Sequence, residues 1–311
     1  MDKEKFLKQV VSIRSSLRSE LLDHQEKWSM NFHLNTSEIF VPDSQPVDAA
    51  LARTTHLCIS AHQDDIEIMA AQPILECFQQ KDKWFTGVVV TDGRGSPRNS
   101  LYETYTDDEM REVRFKEQRK AAIVGEYAAQ VMLDYPSKII KDAARSEPVE
   151  DLVALIRAAK PQVIYTHNLA DKHDTHVSVA LRVVAALRKL DQAERPERLL
   201  GCEVWRALDW MVDSDKVQMD VSAHENLQFA LLGVFDSQIV GGKRYDLASM
   251  GRRRANATYF ESHGVDNTTG LSYAMDMSPL MNDASLNPAS FANGLVQRFA
   301  QDVEDRVRRM S

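Results

Sequence analysis

Cysteine is scarce in this chain. Cys58, Cys77 and Cys202 are odd in number, widely spaced and set among apolar neighbours, which excludes a disulfide frame and a C-x-x-C zinc site and fits small buried hydrophobes. No stretch approaches the roughly 18 apolar residues of a membrane span. The opening segment MDKEKFLKQVVSIRSSLRSELLDHQEKW has a charged amphipathic pattern where a signal peptide would carry an apolar core, so a cytoplasmic setting is expected. Positive charge is in deficit as well: 38 Lys plus Arg stand against 46 Asp plus Glu, a net charge of −8, which argues against an electrostatic hold on nucleic acid or an anionic membrane. G-x-G-x-x-G and P-loop signatures are missing, and with them the sequence support for a dinucleotide cofactor or a nucleoside triphosphatase.

What is present is a globular composition, 43% hydrophobic over 311 residues, with strand-length apolar runs alternating with helical periods. The runs THLCIS (55–60), WFTGVVVTDG (84–93), QVMLDYP (130–136) and PQVIYTH (161–167) read as strands. Between and after them, residues 64–80, 107–125, 148–160 and 175–190 read as helices, the first despite Pro73. The strands lack the alternating polar face of a half-exposed antiparallel sheet. The expected fold is therefore α/β, a Rossmann-like three-layer sandwich with a mostly parallel sheet. Further on, CEVWRAL (202–208) and KVQMDVS (216–222) are expected as strands, residues 224–239 and 247–262 as helices, 265–290 as loops and 291–310 as a last amphipathic helix. Residues 1–50 are expected to form an N-terminal helical arm and 51–311 the main domain.

In open α/β sheets, ligands sit beyond the carboxyl ends of the strands. Two polar clusters lie there, CISAHQDDIEIMA (58–70) and THNLADKHDTHVSV (166–179). His62 and Asp65 are three apart, as are His173 and His176, a spacing that brings two side chains to one face of a helical turn. A catalytic zinc site needs three N or O ligands and one open position, which a His-Asp pair from one loop and a His from the other would supply. Asp64 is then left over to take a proton from water whose pKa a metal lowers to about 7. Spacing alone does not tell His173 from His176.

The sequences AHQDD (61–65) and HDTH (173–176) resemble the paired signatures of the PIG-L (LmbE-like) deacetylase family, usually written AHPDDE and HPDH. The likeness runs through VVVTDGRGS, VRFKEQRKAAIVG, MLDYP and PQVIYTH, covering roughly 52–190; beyond it, FDSQ (235–238) resembles an H-x-S-Q element with Phe235 in place of His. This resemblance implies a zinc-dependent hydrolase that removes an acyl group, usually acetyl, from an amino-sugar nitrogen. It implies His62, Asp65 and His176 as metal ligands, Asp64 as general base, and His173 as the group that stabilises the oxyanion or protonates the leaving amine. The chain departs from the pattern at Gln63 (for Pro), at Ile66 (for Glu, with Glu67 one place later) and at Asp92, where the family often has Arg.

Arg94 and Arg98, in a Gly-rich turn, and Gln238 are candidate substrate contacts; Arg252, Arg253 and Arg254 read as a solvated face or as ion-pair partners in this acidic chain, and His167 as a hydrogen-bonded structural histidine. The expected ligands are Zn2+, or another divalent metal such as Fe2+, and a small N-acylated amino-sugar substrate. No nucleic acid partner is expected, and the oligomeric state, a homo-oligomer included, is left open. The competing readings are a non-catalytic α/β module that binds a sugar or a metal, and a hydrolase of another amide or ester.

Overall fold

The structure, a computed structural model, describes residues 30–311. The expected arm lies outside the described residues up to residue 29. Within the rest of that stretch, Glu38–Phe40 (β1) pairs with the sheet as an edge strand, and the helix Val47–Ala52 packs on the helix Glu147–Ala159.

The remaining strands are β2 (His56–Ser60), β3 (Phe85–Thr91), β4 (Ala129–Tyr135), β5 (Val163–His167), β6 (Arg198–Cys202), β7 (Lys216–Asp220) and β8 (Leu271–Asp276). They form one eight-stranded sheet in the order β1-β4-β3-β2-β5-β6-β8-β7. β4, β3, β2, β5 and β6 run parallel, while β1, β8 and β7 join antiparallel. Every residue of β2, β3 and β4 is buried, so these strands are covered on both faces and need no polar alternation. The mostly parallel α/β sandwich read from the sequence is the observed fold.

Four local expectations fail, three of them in and beside the sheet, each for a visible reason. The helix expected over 64–80 is two, Asp65–Met69 and Ala71–Cys77, because Pro73 cannot donate into the first and sits in the opening turn of the second, where no donor is needed. The sixth strand is Arg198–Cys202, earlier than expected. After Cys202 the backbone is captured by carboxylates: Asp171 Oδ2 accepts from Trp205 N (3.3 Å), and Glu203 accepts from Leu208 N (3.1 Å) and Tyr273 N (3.1 Å). In the stretch expected as loops, Leu271–Asp276 instead enters the sheet antiparallel, between β6 and β7.

The helix Asp107–Val124 starts on a capping box, with Thr106 accepting from Glu109 N and the Glu109 carboxylate accepting from Thr106 N. All three cysteines are buried and free.

Gly201 on β6 passes so close to the loop after β5 that a Cβ there would lie 2.6 Å from Met277 Sδ and 3.0 Å from Asn168 Cα. Gly201→Ala should lower stability by about 1–3 kcal/mol, read as a lower urea midpoint at unchanged slope. An unshifted midpoint would mean that the loop yields without cost.

Candidate active site

β2 and β5 are neighbours at the point where the strand order reverses, so the loops leaving their carboxyl ends diverge and open a crevice. Both polar clusters sit there. The chain leaves β2 through a turn in which Asp64 adopts a left-handed backbone, φ 93°. Asp tolerates that region better than most residues, and two partners hold it: Asp64 N donates to Gln118 Oε1 (3.4 Å), and the Arg114 guanidinium pairs with Asp64 Oδ2 (3.2 Å) while bonding the Gln63 carbonyl. Gln63, which stands where the resemblance has proline, is fully buried and donates to the Thr91 carbonyl (3.2 Å), tying this turn to the end of β3.

Three donor atoms meet behind the turn. His62 Nδ1 lies 3.1 Å from Asp65 Oδ2 and 3.2 Å from His176 Nε2, and His176 Nε2 lies 3.3 Å from the same Asp65 oxygen. A tetrahedral metal with bonds of about 2.0–2.2 Å separates its ligand atoms by about 3.3–3.6 Å, so this triangle is within a few tenths of an ångström of a metal's face. The atoms also suit the group chemically, as two imidazole nitrogens and a carboxylate oxygen, each with a lone pair. His173 stands next to them, its ring centroid 5.0 Å from His62 and 4.6 Å from His176. His167 stacks on His176 at 3.9 Å, but its Nε2 accepts from Ala61 N (2.8 Å), which occupies that lone pair. That is the hydrogen-bonded histidine read from the sequence.

Charge in the site is steeply graded. Burial works against the Asp65 carboxylate, yet His176, His167 and His62 around it hold its pKa far below the usual range. Burial likewise disfavours the His176 cation, and Asp65 and Asp171 outweigh it, raising the imidazole. His173 goes the other way, lowered by burial and by His176 and His62. Asp64 is pushed up to about 6 by burial, against the pull of Arg114.

Asp171 was missed in the sequence, although it stands only two residues before His173. Its buried carboxylate faces His176 Nδ1 at 3.4 Å and accepts from His173 N (2.9 Å) and Trp205 N. Such a partner fixes the orientation of a ligand imidazole. Arg114 is braced in turn by Glu117 (3.3 Å) and Ser237 Oγ (3.4 Å), with Phe235 packed 5.9 Å from its guanidinium carbon. Ser237 itself is held by Glu117 through both its N–H (2.7 Å) and its hydroxyl (2.8 Å), which breaks the helix expected over 224–239 into Glu225–Gly233 and Asp236–Ile239.

The triangle opens into a cavity of about 530 Å3 whose wall includes His62, Asp64, His173 and Gln238. Arg94 and Arg98 do not line it: Arg94 pairs with Asp92 (3.2 Å) and Asp108 (3.0 Å), and Arg98 with Asp107. The basic run at 252–254 is not a solvated face throughout. Arg252 lines the cavity, and only Arg254 is exposed, paired with Glu225. Arg253 is 3% exposed and donates to Gln228 Oε1 (2.9 Å) and the Glu67 carbonyl (2.7 Å); burial pulls its guanidinium down to about 10. Among the described residues no helix is long and apolar enough to cross a membrane.

Residues 57–187 match the family model described as PIG-L: GlcNAc-PI de-N-acetylase. No curated protein matches the chain. Solved structures share the fold. The N,N'-diacetylchitobiose deacetylase from Pyrococcus horikoshii is 16% identical, with a TM-score of 0.53 over 71% of this chain and 84% of its own. The deacetylase of the A40926 pseudoaglycone is 15% identical, with a TM-score of 0.53 over 72% and 97%. The 4-carboxy-2-hydroxymuconate hydratase of Pseudomonas putida KT2440 is 14% identical, with a TM-score of 0.53 over 72% and 95%.

Behind the site, Glu67 is buried with Oε1 accepting from Tyr127 (2.8 Å) and Gln118 (2.9 Å), and burial pushes its carboxyl up to about 8. Between the unfolded carboxyl's pKa near ~4.3 and the folded value, the unfolded chain releases a proton that the folded chain keeps, so stability falls as pH rises through that window. Glu67→Gln keeps the acceptor and removes the titration. In chelator, its urea midpoint should gain on that of the unsubstituted protein from pH 5 to pH 8; parallel midpoints would place the Glu67 carboxyl near its ordinary value.

Proposed function

We propose that this chain, whose residues 57–187 match the PIG-L family model, is a metal-dependent hydrolase of that family that removes an N-acetyl or related acyl group from an amino sugar or its conjugate. One observation carries the reading: the His62, Asp65 and His176 donor triangle opens on the cavity beside a carboxylate, Asp64, that is not needed to complete it. A module that only binds has no need of that base.

In this reading His62, Asp65 and His176 hold Zn2+, or another divalent metal such as Fe2+, and Asp171 fixes the His176 ring. When bound, the metal supplies a Lewis acid for the acyl carbonyl and for the attacking water. Asp64 takes the water's proton. Its pKa, raised by burial, suits a base that must also give the proton back. Arg114 keeps the Asp64 carboxylate turned toward the cavity, so the base is positioned before substrate arrives. His173, a neutral imidazole by its lowered pKa, offers one N–H to the carbonyl oxygen as negative charge develops on it. The C–N bond then breaks, and the proton taken from water reaches the leaving nitrogen from Asp64 directly or through His173. Water and amide give carboxylic acid and amine, the acid then passes its proton to the amine so that carboxylate and ammonium leave, and Asp64 returns to its starting state.

Two substitutions test the roles separately. Asp64→Asn should keep the metal content of the unsubstituted protein while acetate release falls by about 10²–10⁴; normal turnover would remove Asp64 from its role. His176→Ala should lose both the metal, by elemental analysis, and the activity. Stoichiometric metal in that variant would break the assigned ligand set.

A further inference from the structure

The cavity is not electrically uniform. Its wall carries the acids Asp64, Asp65 and Asp92, with Arg114 paired to Asp64, and also the cations Lys141, Lys243, Arg244 and Arg252. Two of these cations gather on one short stretch of wall, Val204–Trp205. Arg252, half-buried, donates from Nη1 to the Val204 carbonyl (2.5 Å), and Lys243 stands 5.2 Å from the centroid of the Trp205 ring. Tyr245 meets that ring edge to face at 5.9 Å. Among the described residues neither Arg252 nor Lys243 has a carboxylate within ion-pair distance, although Arg252 is near enough to the buried Glu203 to draw that carboxyl down against the rise from burial. Arg244, by contrast, pairs with Asp246 (2.8 Å), and Arg254 with Glu225. Two cations with no direct carboxylate partner, beside two aromatic rings and facing the same space as the donor triangle, form the complement of a ring bearing an anion; Lys172, 5.4 Å from the Trp205 centroid, adds to the positive field at that ring.

We propose that Lys243 and Arg252 form an anion subsite, so that the substrate is an N-acylated amino sugar carrying a carboxylate or a phosphate, its ring set against Trp205 and Tyr245. This rests on the deacetylase reading for the reacting end and adds the far end. The residues expected from sequence to do this, Arg94 and Arg98, are spent on Asp92, Asp108 and Asp107. A guanidinium already anchored to a carbonyl keeps its remaining N–H groups fixed in direction, and a lysine at an aromatic face is held near its point of use, so little ordering is left for the moment of binding. The pairing is solvent-accessible on the Lys243 side, and its strength should fade with salt.

The test uses four probes: N-acetylglucosamine, its 1-phosphate, its 6-phosphate and N-acetylmuramic acid, which carries a carboxylate. Acetate release is followed with the metal-loaded protein, and binding by calorimetry with the Asp64→Asn protein, which reads the subsite without turnover. At least one anionic probe should exceed the neutral sugar by about tenfold in kcat/KM and in affinity, chiefly through KM, with the advantage shrinking in high salt. Phosphate and carboxylate probes distinguish the two sources of charge. In Lys243→Gln, an exposed position, and in Lys243→Gln combined with Arg252→Gln, the ratio of anionic to neutral sugar should fall stepwise toward one. Acetate release with no preference for charge overturns the subsite and leaves the deacetylase standing. Preferential binding of an anionic probe with no acetate release does the reverse. Binding of none of the four, or a preference that survives the double substitution, overturns the subsite.

Discussion

Three lone-pair atoms held within 3.3 Å of one another in a buried corner are the constraint around which this molecule is arranged. Burial alone would make the Asp65 carboxylate expensive, and two imidazoles at that distance can share a proton or a cation but cannot simply ignore each other. The surroundings are built to keep them there. Asp65 takes the His62 N–H at 2.7 Å, Asp171 faces the far side of His176, and His167 caps the stack from the end of β5. A divalent cation in the middle would satisfy all three lone pairs at once.

A second arrangement follows from the first. Asp64 must stay beside the triangle without joining it, and its left-handed backbone separates it from Asp65 in direction although the two are adjacent in sequence. Arg114 holds that separation from the middle of the helix Asp107–Val124, and the Phe235–Gln238 segment locks Arg114 from behind. The family-like helix and the FDSQ element are therefore two halves of one brace. Phe235 fits this account as a packing residue, buried to 1% against the brace, where a histidine would have offered a polar ring. Another part of the cavity wall comes from a different segment, which includes Lys243, Arg244, Tyr245 and Arg252.

The sequence shows the central sheet clearly because β2 to β5 are almost wholly buried and so read as predominantly apolar runs with no polar alternation. β8 stays hidden: it is short, is flanked by Asn, Thr, Gly and Pro, and earns its place by antiparallel pairing with residues far away in the chain. The donor triangle is legible because its members come in i, i+3 pairs at two strand ends. The brace is half legible, since Arg114 and Glu117 lie in a recognisable helix, but nothing in their spacing says that Arg114 reaches Asp64. Arg94 and Arg98 mislead for a related reason. A Gly-rich turn does expose backbone, here with Gly93 at φ 70°, yet the neighbouring acids Asp107 and Asp108 claim the arginines first. Arg252 and Lys243 become meaningful only when their segment folds over the cavity, a long-range event that local pattern does not encode.

The most direct test of the whole account is the metal stoichiometry of the unsubstituted protein, stripped with chelator, reconstituted with Zn2+ or Fe2+ and measured by elemental analysis alongside X-ray absorption at the metal edge. The account predicts about one ion per chain with two imidazole nitrogens and a carboxylate oxygen in its shell. A protein that takes up no metal after reconstitution, or binds it through sulfur, would contradict it.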